Sequence, residues 1–115
     1  MHFKYYHNPR CGKSRQCLAF LQEKGIEPEL ILYLKTPPNF EELKDVIEKL
    51  KIKPLELIRQ KENIFKENFK GKVLSDDEWI QAMVDYPKLI ERPIIISKND
   101  AVIGRPKENV LKLLS

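Results

Sequence analysis

YYHNPRCGKSRQCLAF, residues 5–20, is the stretch on which the reading of the whole chain turns. Tyr5 and Tyr6 close a short aromatic run, HFKYY (2–6), which Asn8-Pro9 then breaks, as expected of a strand running into a loop. From about Gly12 to Lys24 the apolar residues Leu18, Phe20 and Leu21 recur at helical spacing, and Gly25 supplies a stop. ELILY (29–33) follows and reads as a buried strand. Strand, helix, strand makes a βαβ unit whose two strands should be parallel.

Outward from that unit the middle of the chain reads as helical. After the turn at Thr36-Pro37-Pro38, Asn39 with Glu42 forms a capping-box start for FEELKDVIEKL, and Pro54 opens a helix through LELIRQ. NIFKENF makes a short helix before Gly71, and Ser75 with Glu78 caps a helix striped by Trp79, Met83 and Val84 that ends near Pro87. Past Pro93, IIIS and AVIG flank the turn signal Asn99-Asp100, which predicts a β-hairpin. Pro106 then opens a last helix, KENVLKLL. The expected α/β architecture is a four-stranded mixed sheet flanked by helices, with a helical insertion between the βαβ and ββα units. That is the outline of a thioredoxin-like fold, spread over residues 1–115 as one domain.

Composition narrows the partners. Twenty-one Lys and Arg against 17 Asp and Glu leave a net charge of +4, a mild preference for anions. The lysines alternate with glutamates along helical stretches such as EELKDVIEKLKIK, where i,i+4 pairing and solvation account for them, so nucleic acid is not the expected partner. No apolar run approaches the roughly 18 residues needed to span a membrane, and MHFKYYHNPR lacks the apolar centre of a signal peptide. A cytoplasmic location is expected, where two cysteines are reactive or buried rather than permanently bridged.

Cys11 falls where the first strand meets the first helix, and unpaired N–H groups at a helix start favour a thiolate or a bound oxyanion. An ordinary thiol of pKa ~8.5 is only roughly 3% ionised at pH 7, whereas one lowered to ~6.5 is about three-quarters ionised. Arg10, Lys13, Arg15 and His7 are near enough in sequence to add to that effect. A dithiol C-x-x-C motif is missing, because its fourth position is Ser14; a cysteine phosphatase would place arginine where Cys17 stands. With His2 and His7 the only histidines, no metal site is expected. What remains is a monothiol beside an anion site. Arg92 precedes Pro93 and Arg105 precedes Pro106, both at element ends where loops converge, while Arg59 lies in ELIRQKE; taken singly, each also reads as a solvated surface cation.

The segments YHNPRCGKSR, ELILYLKTPP, LIRQKE, SDDEWIQAMVDYPKLIERPIII and IGRPKENVL carry a resemblance that runs almost end to end. In order and spacing the chain resembles the glutaredoxin-linked arsenate reductases of the thioredoxin-like superfamily. The resemblance implies that Cys11 attacks arsenate, or a related oxyanion, to form a thiolate–arsenic adduct, and that Arg59, Arg92 and Arg105 bind the anion. It assigns His7 and Ser14 to lowering the thiol pKa, and Pro93 to the cis proline of such folds. Glutathione is implied as co-substrate and glutaredoxin as the protein that resolves the mixed disulfide, with no metal, no flavin and no bound cofactor; a monomer is expected. The best-known members continue with a basic tail where this chain stops at Ser115. Cys17, within the first helix, is expected to face the core, the alternative being a resolving thiol. Two other functions fit parts of the pattern. One is an Spx-like regulator that binds RNA polymerase, against which Ser14 counts; the other is a general glutathione-linked thiol oxidoreductase.

Overall fold

The computed structural model describes residues 2–114. The chain begins with β1 (Lys4–Tyr6), α1 (Gly12–Glu23) and β2 (Glu29–Ile31). Four helices follow: α2 (Phe40–Leu50), α3 (Pro54–Leu57), α4 (Asn63–Asn68) and α5 (Asp76–Asp85). The hairpin β3 (Ile94–Ile96) and β4 (Ala101–Ile103) then leads into α6 (Leu111–Leu114). Contacts divide the chain into two compact units, one comprising the segments up to Thr36 and from Arg92, the other Pro37–Glu91.

The first unit holds a mixed sheet in the order β2-β1-β3-β4, flanked by helices as the sequence predicts. β1 runs parallel to β2, with Tyr5 opposite Leu30, and antiparallel to β3, with Tyr5 opposite Ile95. A buried cluster forms on one face from Phe3 and Tyr5 of β1, Cys17 and Leu21 of α1, Ile95 of β3, Val110 and Leu113. Removing these side chains from water drives α1 and α6 onto the strands. Gly25, at φ 79, terminates α1 in a left-handed conformation that glycine adopts at least cost.

Strand β2 corrects one expectation. ELILY reads as buried, yet only Glu29–Ile31 pair, and Leu30 is 48% exposed. As the terminal strand in the sheet order, β2 has a partner on one side only, and the chain turns away so that Tyr33, not Leu30, is fully buried.

Both expected capping boxes form in the second unit. Glu42 N–H donates to Asn39 Oδ1 at 2.8 Å and Glu78 N–H to Ser75 Oγ at 3.2 Å, each returned by the glutamate carboxylate. Phe65, Phe69, Trp79 and Tyr86 form an aromatic cluster with centroid separations of 5.8–6.1 Å. The helix opened by Pro54 is shorter than its sequence suggests. It ends at Leu57 because Ile58 bridges antiparallel to Ile90, with Arg59 N–H donating to Leu89 C=O at 2.8 Å. Arg59 therefore stands on extended backbone rather than on a helix. The expected terminal helix likewise starts as a 3₁₀ turn, Lys107–Val110, before α6. Among the described residues no helix is long and apolar enough to cross a membrane.

Candidate active site

Cys11 is the N-cap of α1, held with extended backbone by its own N–H donating to Asn8 C=O at 3.0 Å. Asn8 also accepts the Arg10 N–H on Oδ1 at 3.1 Å, an Asx turn that shapes the loop between β1 and α1. Because the N-cap side chain of α1 is a thiol rather than a hydroxyl or carboxylate, the first N–H groups of the helix are left for the sulfur.

Ser14 is the best-anchored residue of the loop, fully buried and held at three points. Tyr5 donates its hydroxyl to the Ser14 carbonyl at 2.6 Å, His7 Nδ1 pairs with Ser14 Oγ at 2.7 Å, and Asn8 N–H donates to the same Oγ at 3.1 Å. The Ser14 N–H is thereby held toward the Cys11 sulfur. His7 is buried, and burial first, then the nearby Arg15 charge, lowers its pKa below the ordinary histidine value. At pH 7 it is neutral and brings no positive charge to the thiol.

Two arginines from the far end of the chain complete the surroundings. Burial alone would push the Cys11 thiol up, but it is outweighed by the Ser14 N–H, by the Arg92 guanidinium through hydrogen bond and charge, and by the Lys13 N–H. The thiol therefore lies below its ordinary pKa. Arg105 Nη2 stands 3.5 Å from Sγ, within hydrogen-bond reach of sulfur, while Arg92 is the guanidinium whose hydrogen bond and charge lower the thiol. Asn109 positions Arg105, its Nδ2 donating to the carbonyls of Ile103 at 3.0 Å and Arg105 at 3.1 Å. The peptide bonds Arg92–Pro93 and Arg105–Pro106 are both cis.

Not every cation near Cys11 in sequence reaches it in space. Arg15 turns back to donate to Pro9 C=O at 2.9 Å, and Arg10 is exposed, so the charge near the sulfur comes from Arg92 and Arg105 instead. Cys11, His7, Ser14, Arg92 and Arg105 all lie in the sheet unit; Arg59 belongs to the helical unit, where its guanidinium pairs with Glu62. Cys17 is fully buried in the core cluster, and burial raises its thiol pKa. The Tyr5 and Asn109 anchors carry no motif in the sequence; each becomes visible only once strand register and the loop after β4 are known. Among the described residues no group of three or more His, Cys, Asp or Glu could hold a metal ion.

The depressed thiol pKa yields a first expected result. In a Cys17→Ala background, thiolate absorbance near 240 nm should rise with a midpoint below the ~8.5 of a free cysteine. The sign carries over to stability: the thiolate's contribution is full above the unfolded thiol's pKa and is lost as pH falls through the lower folded value. A midpoint at or above the free-cysteine value would refute this account of the site.

Comparison with known proteins places these residues in context. The model of the ArsC family matches residues 6–113. An arsenate reductase of Neisseria meningitidis is 42% identical over 113 residues, covering 96% of this chain and 97% of that protein. Uncharacterized protein YfgD of Escherichia coli K12 is 50% identical over 113 residues, covering 96% and 95% of the two chains. The structure of an arsenate reductase from Vibrio cholerae superposes with a TM-score of 0.93 at 46% identity, covering 97% of each chain.

Proposed function

The chain belongs to the ArsC family, and from that premise we propose that it reduces arsenate to arsenite with Cys11 as nucleophile and glutathione and glutaredoxin as reductants. The observation that carries the reading is the convergence on one sulfur of the Ser14 and Lys13 N–H groups and two guanidiniums, Arg92 and Arg105. Such a site favours a thiolate before substrate arrives and an oxyanion once it has.

The Cys11 thiolate attacks arsenic, an arsenate oxygen leaves as water after taking up protons, and a Cys11 S–As bond forms without change of oxidation state. Glutathione's thiol then attacks this adduct: an S–S bond forms to Cys11, the S–As bonding pair stays on arsenic, and As(V) becomes As(III), released as arsenite. A glutaredoxin thiol attacks the glutathione sulfur, forming a glutaredoxin–glutathione disulfide, and its proton goes to the released Cys11 thiolate. Arg92 and Arg105 would neutralise the oxyanion that approaches an already anionic sulfur. Arg59 enters this reading on the family resemblance alone; within its own unit its guanidinium pairs with Glu62.

A glutathione- and glutaredoxin-coupled assay tests the reading. Wild type should release arsenite, and Arg92→Ala and Arg105→Ala should each lower kcat/KM for arsenate about 10- to 100-fold, the loss of a charge-assisted hydrogen bond. Lysine at either position should restore part of it, since charge returns without the planar fork. Wild type that titrates as a depressed thiol yet yields no arsenite would overturn the proposal.

A further inference from the structure

Tyr5 stands at the centre of β1, opposite Leu30 of β2 and Ile95 of β3, and is fully buried. Pairing on both sides fixes its backbone, so the register of the sheet decides where its side chain ends. It ends at the first turn of α1, where the hydroxyl donates to the Ser14 carbonyl at 2.6 Å. Within a helix that carbonyl already accepts from the N–H four residues on, so the tyrosine proton is a second donor that the helix itself does not require. A phenylalanine would fill the core equally well. What the hydroxyl adds is a fixed point for residue 14.

The proton count gives the contact a direction. The single Tyr5 hydroxyl proton is committed to a carbonyl, which can only accept. Toward its other hydrogen-bonded neighbour, the Cys17 thiol, the tyrosine oxygen is left to accept, so Cys17 is the S–H donor, in keeping with a thiol that burial keeps protonated. A one-way chain therefore runs from the core to the site: Cys17 S–H to the Tyr5 oxygen, Tyr5 O–H to the Ser14 carbonyl, and the Ser14 N–H to the Cys11 sulfur. His7 and Asn8 hold Ser14 by its Oγ, a restraint on the side chain, whereas Tyr5 restrains the main chain.

We propose that Tyr5 is a positioning residue for the Cys11 thiolate, acting through Ser14, whose main chain its hydroxyl fixes so that the N–H stays on the sulfur. The inference rests on the reading of Cys11 as the nucleophile and concerns the thiol before any substrate arrives. Tyr5→Phe isolates the effect. It removes one oxygen, leaves Arg92, Arg105, Lys13, Arg15 and His7, the charged and titratable groups around the loop, unaltered, and keeps the ring that meets His7 with centroids 5.5 Å apart.

In a Cys17→Ala background, Tyr5→Phe should raise the midpoint of Cys11 thiolate absorbance by about one pH unit, a tenfold change in the ratio of thiolate to thiol, as expected for loss of one well-placed hydrogen bond. Leu113→Val trims the same buried cluster from α6 and should lower Tm to a similar degree while leaving the midpoint where it was. Alkylation by iodoacetamide should slow about tenfold in Tyr5→Phe below the wild-type midpoint and match the parent above both midpoints, because only the ionised fraction has changed. An unmoved midpoint, an equal shift in Leu113→Val, or alkylation slowed alike at every pH would overturn the assignment and leave Tyr5 a packing residue. Arsenite formation is scored separately. A shifted midpoint in Tyr5→Phe with no turnover by wild type would support the role of Tyr5 and sink the arsenate reading, whereas wild-type turnover with an unmoved midpoint would do the reverse.

Discussion

Cys11→Ser should abolish arsenite formation, by at least about 10³-fold, while leaving the fold intact. The serine hydroxyl is nearly the same size and would occupy the same N-cap, so stability should change by no more than about 1 kcal/mol. What disappears is the chemistry. A hydroxyl does not ionise in the pH range where Ser14 N–H, Lys13 N–H and Arg92 stabilise the thiolate, and oxygen cannot form the disulfide that, in the proposed reaction, would supply arsenic with two electrons. Mass spectrometry should find no glutathione adduct on the variant, whereas Cys17→Ala should keep turnover because Cys17 is buried in the core. Arsenite release by Cys11→Ser at more than a tenth of the wild-type rate would rule out the nucleophile assignment.

Gly104→Ala should be the most damaging single-methyl change in the sheet unit. A Cβ at this position would meet Cys17 Sγ at 2.5 Å, and Ile95 Cδ1 and Pro93 Cγ at 3.0 Å each, closer than packed atoms tolerate. These neighbours are buried on rigid elements, so the strain should cost about 2–3 kcal/mol, lowering Tm by roughly 8–15 °C. Activity should fall as well, because Arg105 is the next residue and Gly104 N–H donates to Pro93 C=O at 2.9 Å, tying both arginine-bearing loops together. Cys17→Ala should relieve part of the strain. A double-mutant cycle by thermal or denaturant unfolding should then show about 1 kcal/mol of favourable coupling. Additive costs would mean the Gly104–Cys17 contact is not the source.

How much of this was legible beforehand follows from the range of each interaction. The capping boxes at Asn39–Glu42 and Ser75–Glu78 lie within four residues and appear where the sequence predicts them. The parallel pair β1–β2 and the hairpin β3–β4 follow from their local units, whereas the β1–β3 pairing that joins them does not. The early end of α3 was not legible, because Ile58 is claimed by Ile90, 32 residues later by their numbering. Similarly, Tyr33 is buried as expected but Leu30 is not, because position in the sheet, not local pattern, decides which is covered. At the site, the cysteine, its helix start and the candidate arginines Arg92 and Arg105 were readable, but not that the nearer cations of the loop contribute little. Arg15 turns back to Pro9 C=O and Arg10 is exposed, while Arg92 and Arg105 arrive through the sheet topology. The neutrality of His7 depends on burial, which no neighbouring residue in the sequence announces.

Cys17, sealed beneath Gly104 with its thiol pKa raised, has a consequence for the lifetime of the protein under oxidative stress. The sequence contains two cysteines, and one of them is walled off. A peroxide that reaches the Cys11 thiolate makes a sulfenic acid that no internal thiol is placed to capture, so its rescue waits on a diffusing thiol. In a cell short of small thiols the sulfenic acid advances to the sulfinic state, which is irreversible for most proteins. The fold thus makes survival of the Cys11 thiol a competition between peroxide and the supply of diffusing thiols.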